Sequence, residues 1–303
     1  MTSQKPRIGF VGLGLMGHGI AKNLVAKGFP LTVRIHRNRK AAEDILAAGA
    51  KEAKTYADLA RASDVIILCV TGSPQIEEIV YAENGIMSAA RDGLIVVDTS
   101  TAEPASTAKI RDDFSKKGVL YVDAPLARTP KEAEEGRLNT MVGADDATFA
   151  KLKPVLSAYC ENVIHIGPPG HGHMLKLVNN FIAQAIATAT AEACAACAKS
   201  GVSIRKLHEV VSAGAVNSGI FQMMVGKMLE GGDLTGLKFT LVNAMKDLRY
   251  YTHFAESLPV PAIVGEAVHQ SLVTANLLGF GDKYVASLIE SQEKLAGVKI
   301  VPH

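Results

Sequence analysis

Three glycines near the start of the chain, Gly12, Gly14 and Gly17, are spaced as Gly-x-Gly-x-x-Gly. They follow the strand-like apolar run Arg7–Gly12 and precede a segment with helical periodicity, His18–Lys27. A strand that turns through such glycines into a helix presents backbone N–H groups to an anion, and a pyrophosphate binds well at that helix N-terminus. The spacing therefore predicts a dinucleotide-binding β-α-β unit, and the alternative is a glycine-rich turn without a ligand.

Apolar runs alternate with helical segments throughout the first half of the chain. This alternation predicts right-handed β-α-β units around a buried parallel sheet, which is the α/β, doubly wound Rossmann architecture. The predicted strands are Arg7–Gly12, Leu31–Ile35, Val65–Val70, Leu94–Asp98 and Val119–Val122, with two further strands at Met141–Val142 and Val163–Ile166. The predicted helices between them are His18–Lys27, Arg39–Ala48 and Ile76–Val80.

The second half of the chain has a different pattern. A run free of Gly and Pro ends at Ser200 and predicts a helix of about 28 residues, roughly 42 Å long, rich in alanine. The remainder is helical in pattern. We therefore expect a boundary near Pro168-Pro169-Gly170, with a nucleotide-binding Rossmann domain over residues 1–168 and an all-helical domain for substrate binding and dimerisation over residues 169–303.

Composition excludes several other classes of protein. The 303 residues are 48% hydrophobic and carry a net charge of +2, and no basic run has interleaved aromatic residues, so nucleic-acid binding is not expected. The chain has no uncharged apolar run of about 18 residues, so no membrane span is expected. A strand-like run begins close to Met1, so we expect no signal peptide. Four cysteines do not make a disulfide framework. We expect a cytoplasmic, soluble, enzyme-sized protein.

The end of the second predicted strand indicates which dinucleotide is bound. Sites that prefer NAD place an Asp or Glu there for the ribose 2′-hydroxyl, whereas this stretch reads VRIHRNRK, with four cations and no carboxylate. An arginine at this point suits a 2′-phosphate. We predict NADP(H) in preference to NAD(H), with Arg37 and Asn38 as its contacts, and the alternative is a solvated basic loop.

Five motifs in order resemble the β-hydroxyacid dehydrogenase family, which includes 3-hydroxyisobutyrate dehydrogenase and 2-hydroxy-3-oxopropionate reductase. The resemblance covers nearly the whole chain. The motifs are the glycine-rich start (GFVGLGLMGHGIAKNLVAKG), Asp98-Thr99-Ser100-Thr101 with Pro104, Tyr121-Val122-Asp123-Ala124-Pro125, Gly170-His171-Gly172-x-x-x-Lys176-x-x-x-Asn180, and Lys246-Asp247. The resemblance implies hydride transfer between a nicotinamide and a small 3-hydroxy acid or its semialdehyde or keto form.

The resemblance also implies roles for individual residues. Lys176 matches the catalytic lysine, and burial in an apolar helix would lower its pKa toward neutrality, which suits proton exchange. A lysine that extends to solvent from a helix face is the alternative. The implied substrate-binding residues are Ser100, Asn179 and Asn180, and we add Arg128 and Thr129 from the segment described next. The implied cofactor-binding residues, besides Arg37 and Asn38, are Gly12, Leu13, Gly14, Leu15, Met16, Gly17, Cys69, Val70, Thr71, Thr101 and Lys246.

One segment departs from the family pattern. Many relatives have Ser-Gly-Gly where this chain reads Ala127-Arg128-Thr129. Arg128 adds a bidentate cation there, and a similar Arg-Thr pair occurs in the sulfolactaldehyde reductase branch, so a larger or more highly charged anion is our hypothesis. In the alternative, Arg128 points to solvent or pairs with Glu132 or Glu134.

The sequence leaves other functions and sites open. An imine reductase or a non-catalytic NADPH-binding homologue generally lacks the lysine that is present here, and a 6-phosphogluconate dehydrogenase is usually longer. His171-x-His173 is a conceivable zinc pair, but no third ligand is nearby in sequence, so no metal is expected. The alanine-rich helix favours a homodimer or homotetramer.

Overall fold

The computed structural model describes residues 4–36 and 39–302. It divides into two compact units, Met1–Lys176 and Leu177–His303. The division falls inside the long helix, a little after the predicted boundary at Pro168–Gly170.

The first unit contains a nine-stranded sheet in the order β3-β2-β1-β4-β5-β6-β8-β7, with β9 paired to β8. The strands are β1 (Ile8–Val11), β2 (Leu31–Arg34), β3 (Lys51–Glu52), β4 (Val65–Leu68), β5 (Ile95–Asp98), β6 (Leu120–Asp123), β7 (Leu126–Ala127), β8 (Leu138–Gly143) and β9 (Cys160–Gly167). Strands β1 to β6 are mutually parallel. The strand order reverses between β1 and β4, which is the switch point of a doubly wound sheet.

The Rossmann architecture predicted for the first unit is confirmed, with one refinement at the far edge of the sheet. β8 runs antiparallel to β6 and β7 and parallel to β9, so the sheet is mixed there. The prediction missed β3 and β7 because each has only two residues, too few for a period-2 pattern to show.

Fourteen α-helices occur within the described residues. Those of the first unit are α1 (Gly17–Ala26), α2 (Glu43–Ala47), α3 (Tyr56–Ala62), α4 (Ser73–Tyr81), α5 (Pro104–Ser115), α6 (Pro130–Glu134) and α7 (Asp146–Leu156), and α8 (His171–Ser200) continues into the second unit. Those of the second unit are α9 (Ile204–Ala213), α10 (Gly219–Phe221), α11 (Lys227–Leu229), α12 (Leu241–Ser257), α13 (Ile263–Ala275) and α14 (Leu288–Ala296).

The sheet is buried on both faces because neighbouring residues of each central strand enter opposite cores. In β4, Ile67 packs with Phe10 in one core, while Ile66 packs with Phe114 in the other. All four of these side chains are fully buried. The strands therefore read as continuous apolar runs, and this is why they could be predicted.

α8 has 30 residues and is apolar enough, by length and composition, to span a membrane. Its most apolar window has a mean hydropathy of 1.4, and 39% of that window is buried within the protein. A core helix of a soluble protein meets the same criteria. The absence of a membrane span therefore stays a prediction.

His18, on α1, joins three elements of the first unit. Its Nδ1 lies 2.6 Å from Glu134 Oε1 at the end of α6, and its Nε2 lies 2.9 Å from Asp44 Oδ2 on α2. Lys22 Nζ contacts the other Glu134 oxygen at 3.0 Å. Burial of the imidazole opposes protonation, but the hydrogen bonds with the two carboxylates prevail and raise the pKa of His18 above its ordinary value of 6.5.

We predict that His18 stabilises the folded protein more in acid than in base. Because its folded pKa is raised, its contribution is complete below about pH 6.5 and is lost as the pH rises through the folded pKa. His18→Gln should therefore lower the urea midpoint, measured by circular dichroism, more near pH 6 than near pH 9. His269→Gln is the control of opposite sign, because burial lowers the pKa of His269. Equal losses for His18→Gln at both pH values would contradict the prediction.

Candidate active site

The glycine loop between β1 and α1 lies at the switch point, and two of its three positions have room only for glycine. Gly12 has φ +104°, and a Cβ there would lie 2.1 Å from the Cys69 carbonyl oxygen. A Cβ at Gly17 would lie 1.8 Å from the Gly12 carbonyl oxygen. At Gly14, by contrast, a Cβ would meet no described atom within 4 Å, so the space beside Gly14 is open to a ligand. The first turn of α1 contains no acidic residue, and its dipole favours an anion there.

The other loop residues differ in exposure. Leu13 and Met16 pack partly against the core, whereas the side chain of Leu15 is 70% exposed. These contacts hold the loop on the sheet edge, and its backbone geometry fits the pyrophosphate of a dinucleotide.

A cavity of about 270 Å³ lies beside the glycine loop. It extends between the ends of β1 and β2 and the helices α3 and α4. Its lining residues are Val11, Gly12, Leu13, Gly14, Arg34, Ile35, His36, Tyr56, Val70, Gln75, Glu78 and Ile79. A pocket in this position of a Rossmann unit fits the adenosine end of a dinucleotide.

Arg34 is the cation of the basic stretch that lines this cavity. Its guanidinium lies over the Tyr56 ring, 5.6 Å from the centroid, and its Nη1 donates to the Ile35 carbonyl oxygen. Its Nε is buried, and no described residue accepts a hydrogen bond from it. Arg39 instead pairs with Glu52 at 3.0 Å. The predicted contacts Arg37 and Asn38 lie outside the described residues.

The loops that follow β4 and β5 are joined by a hydrogen bond. The Val70 N–H donates to Ser100 Oγ at 3.0 Å, and Ser100 is only 4% exposed. Burial raises the pKa of the Cys69 thiol to about 11, so it stays protonated at neutral pH. Thr71 is exposed, and Thr101 is half-buried. These predicted residues therefore lie together at the carboxyl edge of β4 and β5, next to the glycine loop.

Two buried carboxylates, Asp98 and Asp123, end the neighbouring strands β5 and β6 in register. Asp98 accepts hydrogen bonds from the Ser100 N–H at 2.9 Å and the Tyr121 hydroxyl at 2.7 Å. Burial, together with the adjacent Asp98 charge, raises the pKa of Tyr121 well above its ordinary value. Tyr121 is therefore a fixed hydrogen-bond donor.

Lys176 lies in α8, is half-buried, and is the last residue of the first unit. Asn180 follows one turn later in the same helix. In the second unit Asn180 is buried, and its Nδ2 donates to Asp247 Oδ2 at 2.6 Å, while Asn179 is exposed and donates to Asn180 Oδ1 at 3.2 Å. Lys246 Nζ lies 2.8 Å from the other Asp247 oxygen. Asp247 thus orients two of the predicted site residues.

The departure from the family pattern has a clear geometry. Arg128 has φ +82°, which an L-residue rarely adopts, and its guanidinium pairs with Glu161 and donates to the Arg137 carbonyl oxygen. Neither Glu132 nor Glu134 is the partner. Thr129 caps α6 in a capping box with Glu132. In this structure both residues therefore have local structural partners.

The histidines of the His171-x-His173 pair lie in different environments. His173 is fully buried, and its Nδ1 lies 2.7 Å from Thr107 Oγ1, whereas His171 is exposed. Among residues 4–36 and 39–302, no group of three or more His, Cys, Asp or Glu side chains is placed to hold a metal ion.

Comparison with known proteins assigns the family. Residues 7–167 match the NAD binding domain of 6-phosphogluconate dehydrogenase, and residues 170–291 match the NAD-binding domain of NADP-dependent 3-hydroxyisobutyrate dehydrogenase. The chain belongs to the β-hydroxyacid dehydrogenase family. It is therefore a nicotinamide-dependent oxidoreductase of the dehydrogenase and reductase class.

Individual relatives of the family align along almost their whole length. The chain is 30% identical to 2-(hydroxymethyl)glutarate dehydrogenase of Eubacterium barkeri, over 97% of each protein. It is 29% identical to 3-sulfolactaldehyde reductase of Escherichia coli, over 96% of this chain and 97% of that one. The crystal structure of 3-hydroxyisobutyrate dehydrogenase from Salmonella typhimurium superposes with a TM-score of 0.81 at 25% identity, covering 94% of this chain and 99% of that one.

Four residues that line the cavity or hold predicted site residues were not assigned a role from the sequence. Arg34 and Tyr56 line the adenosine cavity, and Asp123 and Asp247 are buried partners of α8 and Asn180. Arg34 was visible as part of the basic stretch, and both aspartates lie inside recognised motifs. Tyr56 had no local signal, because α3 reaches the cavity only through the tertiary fold.

Proposed function

We propose that this protein is an NADP(H)-dependent oxidoreductase that interconverts a small 3-hydroxy acid and its semialdehyde or keto form, with Lys176 as the general acid and base. The observation that carries the proposal is the position of Lys176, one helical turn before an asparagine whose amide is fixed by buried Asp247. The nicotinamide supplies or accepts the hydride when the cofactor is bound.

In the direction of reduction, Lys176 would donate a proton to the carbonyl oxygen as it becomes an alkoxide; in oxidation it would remove the proton from the alcohol. Asn180 would hold the substrate beside it. An amide nitrogen has two N–H groups, so Asn180 Nδ2 can donate to Asp247 and also to a substrate oxygen. Ser100 would line the same site from the loop after β5, with its backbone held by Asp98.

Lys176→Met should abolish turnover and leave the cofactor bound. Loss of general acid–base catalysis costs about 10²- to 10⁴-fold in kcat. NADPH oxidation over a panel of semialdehyde acids measures the loss, and NADPH fluorescence titration measures binding. Lys199→Met is the matched control, because Lys199 lies near the exposed end of α8 and donates to the Ala296 carbonyl oxygen. Wild-type turnover by Lys176→Met would refute the mechanism.

The preference for NADP(H) over NAD(H) is supported by Arg34, a half-buried arginine beside the adenosine cavity, and by the lack of a carboxylate between residues 33 and 40. Arg37 and Asn38 remain proposed contacts of the 2′-phosphate. Glu78, on α4, also lines the cavity. We propose that the cation of Arg34 outweighs this carboxylate in the choice between NADP(H) and NAD(H).

Arg34→Gln should lower kcat/KM for NADPH by about 10-fold or more and change kcat/KM for NADH little, because only NADPH carries the additional phosphate. Arg61→Gln is the control: Arg61 is an exposed arginine on α3, paired with Asp58 at 2.9 Å, and its loss should not alter the ratio. An unchanged NADPH-to-NADH ratio for Arg34→Gln would mean that Arg34 does not contact the phosphate.

A sulfolactaldehyde-type reductase is the second candidate, and Arg128 is the observation that favours it. A guanidinium paired with a single carboxylate still has N–H donors for a bidentate anion. A strained backbone at a binding loop is a frequent mark of function. The presence of Lys176 weighs against an imine reductase and against a non-catalytic homologue.

Substitutions of Arg128 and of its partner Glu161 should change KM in opposite directions. If Arg128 binds the substrate anion, Arg128→Ala should raise KM about 10-fold or more, while Glu161→Gln should lower KM, because the guanidinium then has no competing carboxylate. Steady-state kinetics on a carboxylate and a sulfonate aldehyde identify the preferred anion. Changes of the same sign in both variants would show that the pair is only structural.

We further propose a homodimer or homotetramer, working in the cytoplasm without nucleic-acid or membrane partners. The support is the exposure of apolar side chains on the second unit, where Val210 on α9 is 70% exposed and Ile263 on α13 is 79% exposed. All four cysteines are unpaired, as is usual in a reducing compartment.

A further inference from the structure

Asp123 holds the first turn of α8 through both oxygens of its carboxylate. Oδ1 accepts a hydrogen bond from the Gly170 N–H at 2.6 Å, and Oδ2 accepts one from the His173 N–H at 2.8 Å. Asp123 is 1% exposed. A buried carboxylate with two backbone donors at a helix N-terminus is strongly held, because the helix dipole also favours the negative charge.

Two glycines make this close approach possible. A Cβ at Gly143 would lie 2.6 Å from Asp123 Oδ1, and a Cβ at Gly172 would lie 2.8 Å from Asp123 Oδ2 and 2.4 Å from the Met141 carbonyl oxygen. The carboxylate therefore occupies a narrow space between β8 and α8. A side chain at Gly143 or Gly172 would close that space.

The same turn has a second anchor. His173 Nδ1 lies 2.7 Å from Thr107 Oγ1, and its Nε2 lies 3.8 Å from Asp98 Oδ2. Thr107 and His173 are both buried. Asp98 also holds the Ser100 backbone, so the two aspartates connect the loop after β5 with the start of α8.

We propose that Asp123 is a positioning residue for Lys176, setting the rotation and height of the helix turn that carries the lysine. Lys176 follows His173 by three residues, which places it less than one turn beyond the anchored N–H. This inference rests on the proposed role of Lys176 as acid and base. An error of about 1 Å in such a group can cost about 10²-fold in rate.

Asp123→Asn is the direct test, made on the full chain with NADPH bound. The asparagine side chain has one acceptor oxygen and one NH2 group, so it can accept from only one of the Gly170 and His173 N–H groups. One of the two hydrogen bonds to the start of α8 is therefore lost. Hydrogen exchange over residues 168–176 should become faster. We expect kcat to fall about 10- to 100-fold with little change in KM, and the pH profile of kcat to change, because a displaced amine has different neighbours.

Asp145→Asn is the matched control. Asp145 is an exposed carboxylate that also accepts a hydrogen bond at a helix N-terminus, from the Thr148 N–H at 2.9 Å, but α7 carries none of the proposed site residues. It should lose stability and keep the wild-type kcat and pH profile. Thr107→Val removes the hydroxyl that contacts His173 Nδ1 and that also donates to the Glu103 carbonyl oxygen just before α5. It is a milder second variant that should show the same changes as Asp123→Asn on a smaller scale.

The outcomes separate the two proposals. Unchanged exchange at residues 168–176 in Asp123→Asn would overturn the anchor, whatever the activity, and if that variant does not fold, unchanged exchange and kcat in Thr107→Val would do so. Faster exchange with wild-type kcat and pH profile would overturn the positioning role. Full activity of Lys176→Met would refute the proposed function instead, and the exchange measurement would still decide whether Asp123 fixes the helix.

Discussion

The site depends on two carboxylates, Asp98 and Asp123, buried side by side at the ends of β5 and β6. A buried charge is costly unless hydrogen-bond donors surround it, so each aspartate requires its neighbours to adopt one arrangement. Asp98 requires the Ser100 N–H and the Tyr121 hydroxyl; Asp123 requires the first amides of α8. The electrostatic requirement thus determines where the loop after β5 and the long helix begin.

Features with a local signal could be predicted from the sequence. The glycine turn, the buried central strands and α8 each follow from residue spacing or from an uninterrupted apolar or alanine-rich run. The helix α7 was missed, because Pro154 interrupts its pattern and its start depends on the Asp145 cap. Short β7 forms only because β8 lies beside it. The strand β7 thus depends on tertiary pairing, which local propensity does not contain.

The chemistry of the site divides in the same way. The lysine and the asparagine one turn apart could be found from spacing, but the partners that orient them could not. Asp123 and Gly170 are 47 residues apart, and Asn180 and Asp247 are 67 apart. Arg128 shows the limit most clearly, since its sequence context suggested a pairing with Glu132 or Glu134, whereas Glu161 on β9 is its partner. A left-handed backbone at Arg128 costs about 1 kcal/mol or more, and glycine would avoid that cost.

Lysine is a flexible side chain, and much of its precision must come from the backbone that carries it. Along α8 the backbone is fixed before Lys176 by Asp123, and after Lys176 a buried carboxylate holds the side chain of Asn180. Each carboxylate belongs to the same compact unit as the α8 segment that it holds. The half-buried Lys176 therefore lies on a stretch of helix restrained near both ends. The strained residue Arg128, by contrast, is held by Glu161 on β9 and not by that helix.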